Sequence, residues 1–336
     1  MNVSLRRSLL YNRKLKNSSI KCYESNFLFM KKKFNVAKVI TDVWVVKNID
    51  MILNTFLREL EEERITHAKF VAQLTCLLLT LSPKAKKSPP KRNQATYKRV
   101  NDLVVKHNNN YAAKKSKQNK TSKEEANWVN FHTIQDYVNK NEPLKIKAFK
   151  NNKNKTTFLD LQQMLIMRLY IDIPPRRLDY HNMTIISYKE YSDPSFHKHI
   201  KEKNLWVFHK KKSLGSFFSF GISLPKTQAY VNENDNAVIW QCPIKIQKTI
   251  YLLRTFLSND QLLYNSKLTA INKSSLSKLI SKAFMTAFNK NIGATLLRKI
   301  FDSAYFKNDV PLEERINIAR MMNHSIIVSM THYTKQ

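Results

Sequence analysis

IGATLLRKIFDSAYFKNDVPLEERINIARMMNHSIIVSMTHYTKQ, residues 292–336, is the stretch that decides how this chain is read. Arg298 stands among Leu297, Ile300, Phe301 and Ala304, apolar residues at helical spacing. Asp309 and Pro311 then start a second helix, with Glu313 and Glu314 in its first turn, where carboxylates suit the helix dipole. That helix is expected to end at Met322-Asn323, because Asn tolerates the left-handed conformation that terminates helices. His324 follows at once, and Tyr333 comes nine residues later.

In this order and context the set resembles the end of the catalytic domain of tyrosine recombinases, the phage-integrase type. That family shows H-x-L-R-H-T-F, then L-G-H-S, then a tyrosine nine residues past the second histidine. The corresponding stretches here are Thr295-Leu296-Leu297-Arg298-Lys299-Ile300-Phe301, then Met322-Asn323-His324-Ser325, then Tyr333. Thr295 takes the place of a histidine. It can donate one hydrogen bond but cannot carry a proton at neutral pH. Lys299 is a candidate to compensate. Asn323 replaces the usual glycine. The chain also stops three residues after Tyr333, where many relatives continue into a helix that docks on a neighbouring subunit.

The family also needs an earlier arginine at a helix start, as R-x-x-E or R-x-x-D. In IDIPPRRLDYHNM (171–183), Arg176 with Asp179 fits, and Arg177 is the adjacent alternative. The P-P-R-R-x-D-Y form looks like integrase-like recombinases of large DNA viruses, virophages and their mobile elements. A lysine in a β-hairpin completes the pattern. Lys226, followed by Thr227, is preferred, and Lys212 is the runner-up.

The resemblance implies a role for each residue. Arg176 and Arg298 would hold the non-bridging phosphate oxygens with guanidinium forks that stay charged at every relevant pH. Tyr333 would attack phosphorus and store the bond as a 3′-phosphotyrosyl link. Lys226 would protonate the leaving 5′-oxygen, and His324 would hydrogen-bond the phosphate or assist proton transfer. No cofactor and no metal is implied. His197-Lys198-His199 imitates a metal pair but has no Cys or carboxylate cluster beside it.

Whole-chain properties agree on the class of partner. Among 336 residues, 58 Lys and Arg face 25 Asp and Glu, a net charge of +33. Nucleic acid is the first partner this suggests and an anionic membrane the second. Three scattered glycines, Gly215, Gly221 and Gly293, supply no phosphate-binding glycine loop, which argues against nucleotide-binding folds of that type. Cys22, Cys76 and Cys242 form no C-x-x-C, so a reducing compartment is the simpler expectation. The most apolar run, Phe70 to Ser82, is shorter than the ~20 residues a membrane span needs. The basic N-terminus lacks the sustained apolar core of a signal peptide.

The expected fold class is mainly α with a small antiparallel β-sheet (α+β). Residues 15–82 read as helical, with Ile20, Tyr23, Phe27 and Met30 on one stripe and Val39, Val43, Val46, Ile49, Leu53 and Phe56 on another. LRELEEER reads as a solvated helical face. From Lys84 to Lys123 there are thirteen Lys or Arg and one acid, Asp102. This reads as a solvated linker or as a basic strap along a phosphate backbone. Its candidate DNA contacts are Lys84, Lys86, Lys87, Lys91, Arg92, Lys98, Arg99, Lys114, Lys115 and Lys117. Beyond Trp128, helices are expected at Phe158–Tyr170, Ile244–Leu257 and Leu276–Phe288, the last capped by Ser274 or Ser275. Strands are expected at 204–208, 216–224 and 236–240.

The resemblance assigns 1–83 as a helical core-binding-like DNA-binding domain, 84–127 as the basic linker, and 128–336 as the catalytic domain. It implies an integrase that cuts and rejoins duplex DNA inside the cell (in a host nucleus or a viral factory), as a homo-oligomer, a tetramer on DNA, with no membrane or small-molecule partner. The alternatives are an inactive or weak DNA-binding relative, a type IB topoisomerase-like nicking-closing enzyme and, on charge alone, a membrane-surface protein.

Overall fold

The computed structural model describes residues 17–37, 39–82, 88–181, 183–187, 204–211, 215–222, 238–257, 260–306 and 310–335. The chain divides into two compact units, Met1–Ser116 and Lys117–Gln336. Among the described residues no helix is long and apolar enough to cross a membrane.

The first unit is helical: α1 (Asn17–Lys33), α2 (Asp42–Glu61), α3 (His67–Leu81), a short 3-10 turn at Lys91–Asn93, and α4 (Gln94–Ser116). Thr41 and Thr66 start α2 and α3 by accepting the backbone N–H of Trp44 and Lys69, which satisfies donors the helix cannot satisfy itself. The buried stripe of α2 is Val45, Ile49, Ile52, Leu53 and Phe56. It packs with Phe70, Leu74, Leu77 and Leu81 of α3 and with Phe27 and Met30 of α1. Burying one such side chain contributes roughly 1.5–3 kcal/mol.

Three features of this unit differ from the sequence reading. Val43 is 61% exposed, because the Thr41 cap begins the helix one residue before it and turns it outward. Glu59, expected on a solvated face, is buried and paired with Lys33. Residues 94–116, expected as linker, form a helix that packs against the same core through buried Val100 and half-buried Tyr97, Leu103 and Val104. The division between units accordingly falls after Ser116.

The second unit begins with α5 (Ser122–Asn127), whose capping box joins Thr121 and Glu124. Then come α6 (Phe131–Asn151) and α7 (Lys155–Ile171). From Met164 to Ile171 every residue of α7 is buried, so it is the central helix of the unit. Strands β1 (Thr184–Ser187), β2 (Asn204–Lys211), β3 (Gly215–Ile222) and β4 (Val238–Gln241) form one sheet in that order. β2, β3 and β4 pair antiparallel, but β1 pairs parallel to β2, so the sheet is mixed and not purely antiparallel. Parallel neighbours need a connection of a dozen residues or more, and sixteen lie between β1 and β2. Helices α8 (Ile244–Arg254), α9 (Lys273–Phe288), α10 (Ala294–Tyr305) and α11 (Leu312–Met321) follow. Asn272, not a serine, caps α9, accepting from Ser275 N. A single turn, α12 (Ile326–Val328), leads into a wide π-type turn at Ser329–Tyr333.

A candidate active site at the end of one helix

The site is built on the C-terminal end of α11, whose last carbonyls have no partner within the helix. His324 N–H bonds Ala319 O at 3.1 Å, and Asn323 N–H bonds Arg320 O at 2.9 Å. This is a Schellman closure, with Asn323 in the left-handed conformation at φ 58°. The helix end therefore has the termination expected from the asparagine. Phe301, Ile318 and Met322 pack as one cluster and fix this end against α10.

Two guanidiniums take the next two carbonyls. Arg176 Nη1 donates to Met321 O, and Arg298 Nη2 donates to Met322 O at 3.0 Å. Cations suit the negative end of a helix dipole. Both arginines are fully buried. Arg176 also donates from Nε to Asp179 Oδ2 at 3.0 Å, the i,i+3 pair read from the sequence. The residues around it form turns, not the expected helix start. Pro174-Pro175 fixes φ and removes backbone donors, and β1 begins eight residues after Arg176. The turn is tied back to α7 by Tyr170, whose hydroxyl donates to Arg177 O at 2.5 Å, and by Tyr180, which donates to Leu169 O at 3.0 Å. Below it, Arg168 joins Glu142 at 2.7 Å and Asp172 at 3.3 Å.

Tyr333 comes to the same place. Its ring stacks on that of His324, with centroids 4.9 Å apart and planes 17° from parallel. The Arg298 guanidinium carbon lies over it, 4.5 Å from the centroid. Tyr333 is 7% exposed. His324 Nδ1 donates to Ser325 O at 3.1 Å, which leaves Nε2 as the acceptor nitrogen of the neutral ring. Nε2 is buried and has no hydrogen-bond partner among the described residues, and the same holds for Arg298 Nε and Nη1.

Burial and nearby positive charge set the protonation states. Burial, then Arg298, pushes the His324 imidazole down to about 4, and Arg177 and Arg176 act the same way. Burial lowers Arg298 to about 10, so it stays charged at neutral pH. Arg177 is felt at both His324 and Arg298, although of the two adjacent arginines it is Arg176 that bonds the helix end.

A solved structure similar to this chain is that of XerA recombinase. It is 13% identical, the match covers 98% of this chain and 94% of that chain, and the TM-score is 0.37. No family model matches the chain, and no curated protein matches it.

The structure thus brings Arg176, Arg298, His324 and Tyr333 together from four separate segments. Thr295 is exposed in the first turn of α10, three residues before Arg298. Lys299 is engaged in an ion pair with Glu124. Burial raises the Glu124 carboxyl, but the bonds from Lys299 and Thr121 outweigh it and hold the carboxyl below its ordinary value. Lys226, Lys212, Lys84, Lys86, Lys87, Asp309, His197 and His199 lie outside the described residues, as does the side chain of Lys115. Of the other basic candidates, Lys91, Lys98, Lys114 and Lys117 are exposed. Arg92 and Arg99 pair with Asp42 and Asp50 at 2.7 and 2.6 Å. No group of three metal-ligating side chains occurs among the described residues.

Three further residues of the site were not read from the sequence. Asp302 is fully buried one turn after Arg298 and accepts from Ser329 Oγ at 2.7 Å. Ser303 and Ser329 are buried beside it. The available signal was Asp302 at i+4 from Arg298, on the side of the helix that carries Leu297 and Phe301.

Proposed function

We propose that this chain is a DNA strand transferase of the tyrosine recombinase type, acting through a 3′-phosphotyrosyl intermediate. The observation that carries the reading is the seat of Tyr333, in contact with both the Arg298 guanidinium and the His324 ring, beside a helix end that also holds Arg176. Two buried cations form a desolvated positive site, in which attraction for a phosphodiester is far stronger than in water. The developing charge on the non-bridging oxygens is what the two guanidiniums would stabilise.

In the proposed step the Tyr333 hydroxyl oxygen bonds to phosphorus and the P–O5′ bond breaks. The tyrosine proton passes to His324 Nε2, which carries no proton at neutral pH and whose basicity the negative charge of a bound phosphate raises. A lysine, Lys226 with Lys212 as the alternative, protonates the leaving 5′-oxygen. Rejoining is the reverse with a new 5′-hydroxyl, so no external energy is needed.

The exposed lysines among the basic residues, with the +33 net charge, support duplex DNA as the substrate, bound with a steep salt dependence. The Pro174-Pro175-Arg176-Arg177 form supports a viral or mobile-element integrase working as a homo-oligomer on DNA, a tetramer in the full reaction. The test is incubation with nicked duplexes, drawn from the DNA flanking the gene and from a randomised pool. A denaturant-resistant protein–DNA adduct is expected from the wild type and none from Tyr333→Phe. No adduct from the wild type, or an equal yield from Tyr333→Phe, would overturn the assignment.

A further inference from the structure

The residues that hold the backbone around the tyrosine do a different job from the guanidiniums. Asp302 and Ser303 are consecutive residues of α10, one turn beyond Arg298. Asp302 Oδ2 accepts from Ser329 Oγ at 2.7 Å, and Ser329 is the first residue of the wide turn that ends in Tyr333. Ser303 Oγ accepts the backbone N–H of Lys335 at 2.7 Å and lies 3.5 Å from Tyr333 O, within reach to donate to it. The turn closes on itself through Thr334, whose N–H and hydroxyl both donate to Ser329 O, at 3.0 and 3.2 Å. One rigid helix therefore carries the guanidinium that lies over the tyrosine ring and also grips both flanks of that tyrosine.

The chemistry of the contacts is informative. Asp302, Ser303 and Ser329 are all buried, and a buried carboxylate is costly to desolvate. Apolar side chains of similar size would pack the same space, but they would leave the turn free to slide along α10. Directional hydrogen bonds to residues 329 and 335 fix its register, and a displacement of about 1 Å at a reacting group can cost a hundredfold in rate.

We propose that Asp302, Ser303 and Ser329 are positioning residues that lock the Tyr333 segment in register with Arg298. This inference rests on Tyr333 being the nucleophile, but its physical content, a lock on residues 329–335, can be tested separately. The experiment uses the full chain and the variants Ser329→Ala, Ser329→Thr and Asp302→Asn, with two readouts. The first is backbone hydrogen exchange by peptide. The second is the single-turnover rate of adduct formation at saturating nicked duplex, alongside the affinity for that duplex.

Ser329→Ala is expected to speed exchange about tenfold in peptides covering 326–335 and to leave the α6 and α7 peptides unchanged. It should slow adduct formation about tenfold, with DNA affinity unchanged. Ser329→Thr, which keeps the hydroxyl, and Asp302→Asn, which keeps an acceptor, should restore most of both. Unchanged exchange in 326–335 for Ser329→Ala, or equal loosening of α6 and α7, overturns the lock. If the wild type makes no adduct, the nucleophile assignment fails, and exchange alone still decides whether the lock exists.

Discussion

Unit 1 fills its interior with Phe56, Phe70, Leu74 and Leu77, and the one charged side chain buried among its described residues is Glu59, beside Lys33. Unit 2 has an apolar core of the same kind around α7 but also buries Glu142, Arg168, Arg176, Arg298, Asp302 and His324. Both need capped helices and apolar stripes to fold. Only the second retains ionisable groups where they destabilise unless partnered. Arg168 lies between Glu142 and Asp172, so its positive charge is fully countered there. Around Tyr333 the balance is different: three arginines are felt at His324, and Arg298 keeps two donor nitrogens without partners among the described residues. The difference teaches where to look for an anionic substrate. It is the buried place where positive charge exceeds what folding needs.

That contrast can be broken by mutation. The largest effect is expected at Arg298. Arg298→Ala should lower the rate of adduct formation by about a thousandfold or more, as removal of a preorganised charge does elsewhere, and Arg298→Lys should recover only part, because an ammonium lacks the fork. An Arg298→Ala rate within about threefold of wild type would remove the site from consideration.

Next comes Arg168→Met, which leaves Glu142 buried and unpaired. It should destabilise by about 3–5 kcal/mol in denaturant titration. Arg99→Ala in unit 1 breaks an equally short pair with Asp50, but both side chains are largely exposed, so a loss within about 1 kcal/mol is expected. Similar losses at the two sites would erase the distinction between the units.

The subtlest test is pH. His324 is held down to about 4 from an ordinary 6.5, so its contribution to stability is fully present above 6.5 and is lost as pH falls toward 4. Burial pushes Asp302 up to about 7 from 3.8, outweighing the opposite effects of Ser329 and Arg298. Its contribution is fully present below 3.8 and is lost as pH rises through 7. At their limits they amount to about 3 kcal/mol for His324 and about 4 kcal/mol for Asp302, and between pH 4 and 6.5 the two oppose each other. Single variants should unmask them. Relative to wild type, Asp302→Asn should lose stability as pH falls from 7 to 4, and His324→Gln should gain it from 6.5 to 4. Two differences that do not change with pH would contradict the burial of these groups as titratable side chains.

Much of the second unit could be read from the sequence because its signals are local. Asn323 next to His324 announced a left-handed helix end, and the Arg298, His324 and Tyr333 spacing survived as proximity. Arg176 was legible through Asp179, but its turn was not, because Pro-Pro can precede a helix or replace one. Helix α4 was hidden by its own lysines. Tyr97, Val100, Leu103 and Val104 have helical spacing, yet thirteen basic residues across 84–123 dominate the composition. β1 has only four residues and pairs with a strand twenty positions away, so nothing local marks it. Asp302 and Ser329 are ordinary polar residues until the fold brings them within 2.7 Å.

The central claim is that Tyr333 is the group that bonds to DNA, and the most direct measurement is the position of that bond. Denatured adduct from a nicked duplex, digested with protease and nuclease, can be mapped by mass spectrometry. The account predicts a nucleotide 3′-phosphate on Tyr333, in the peptide that follows Arg320. A nucleotide attached at any other residue, or through a 5′-phosphate, would contradict it.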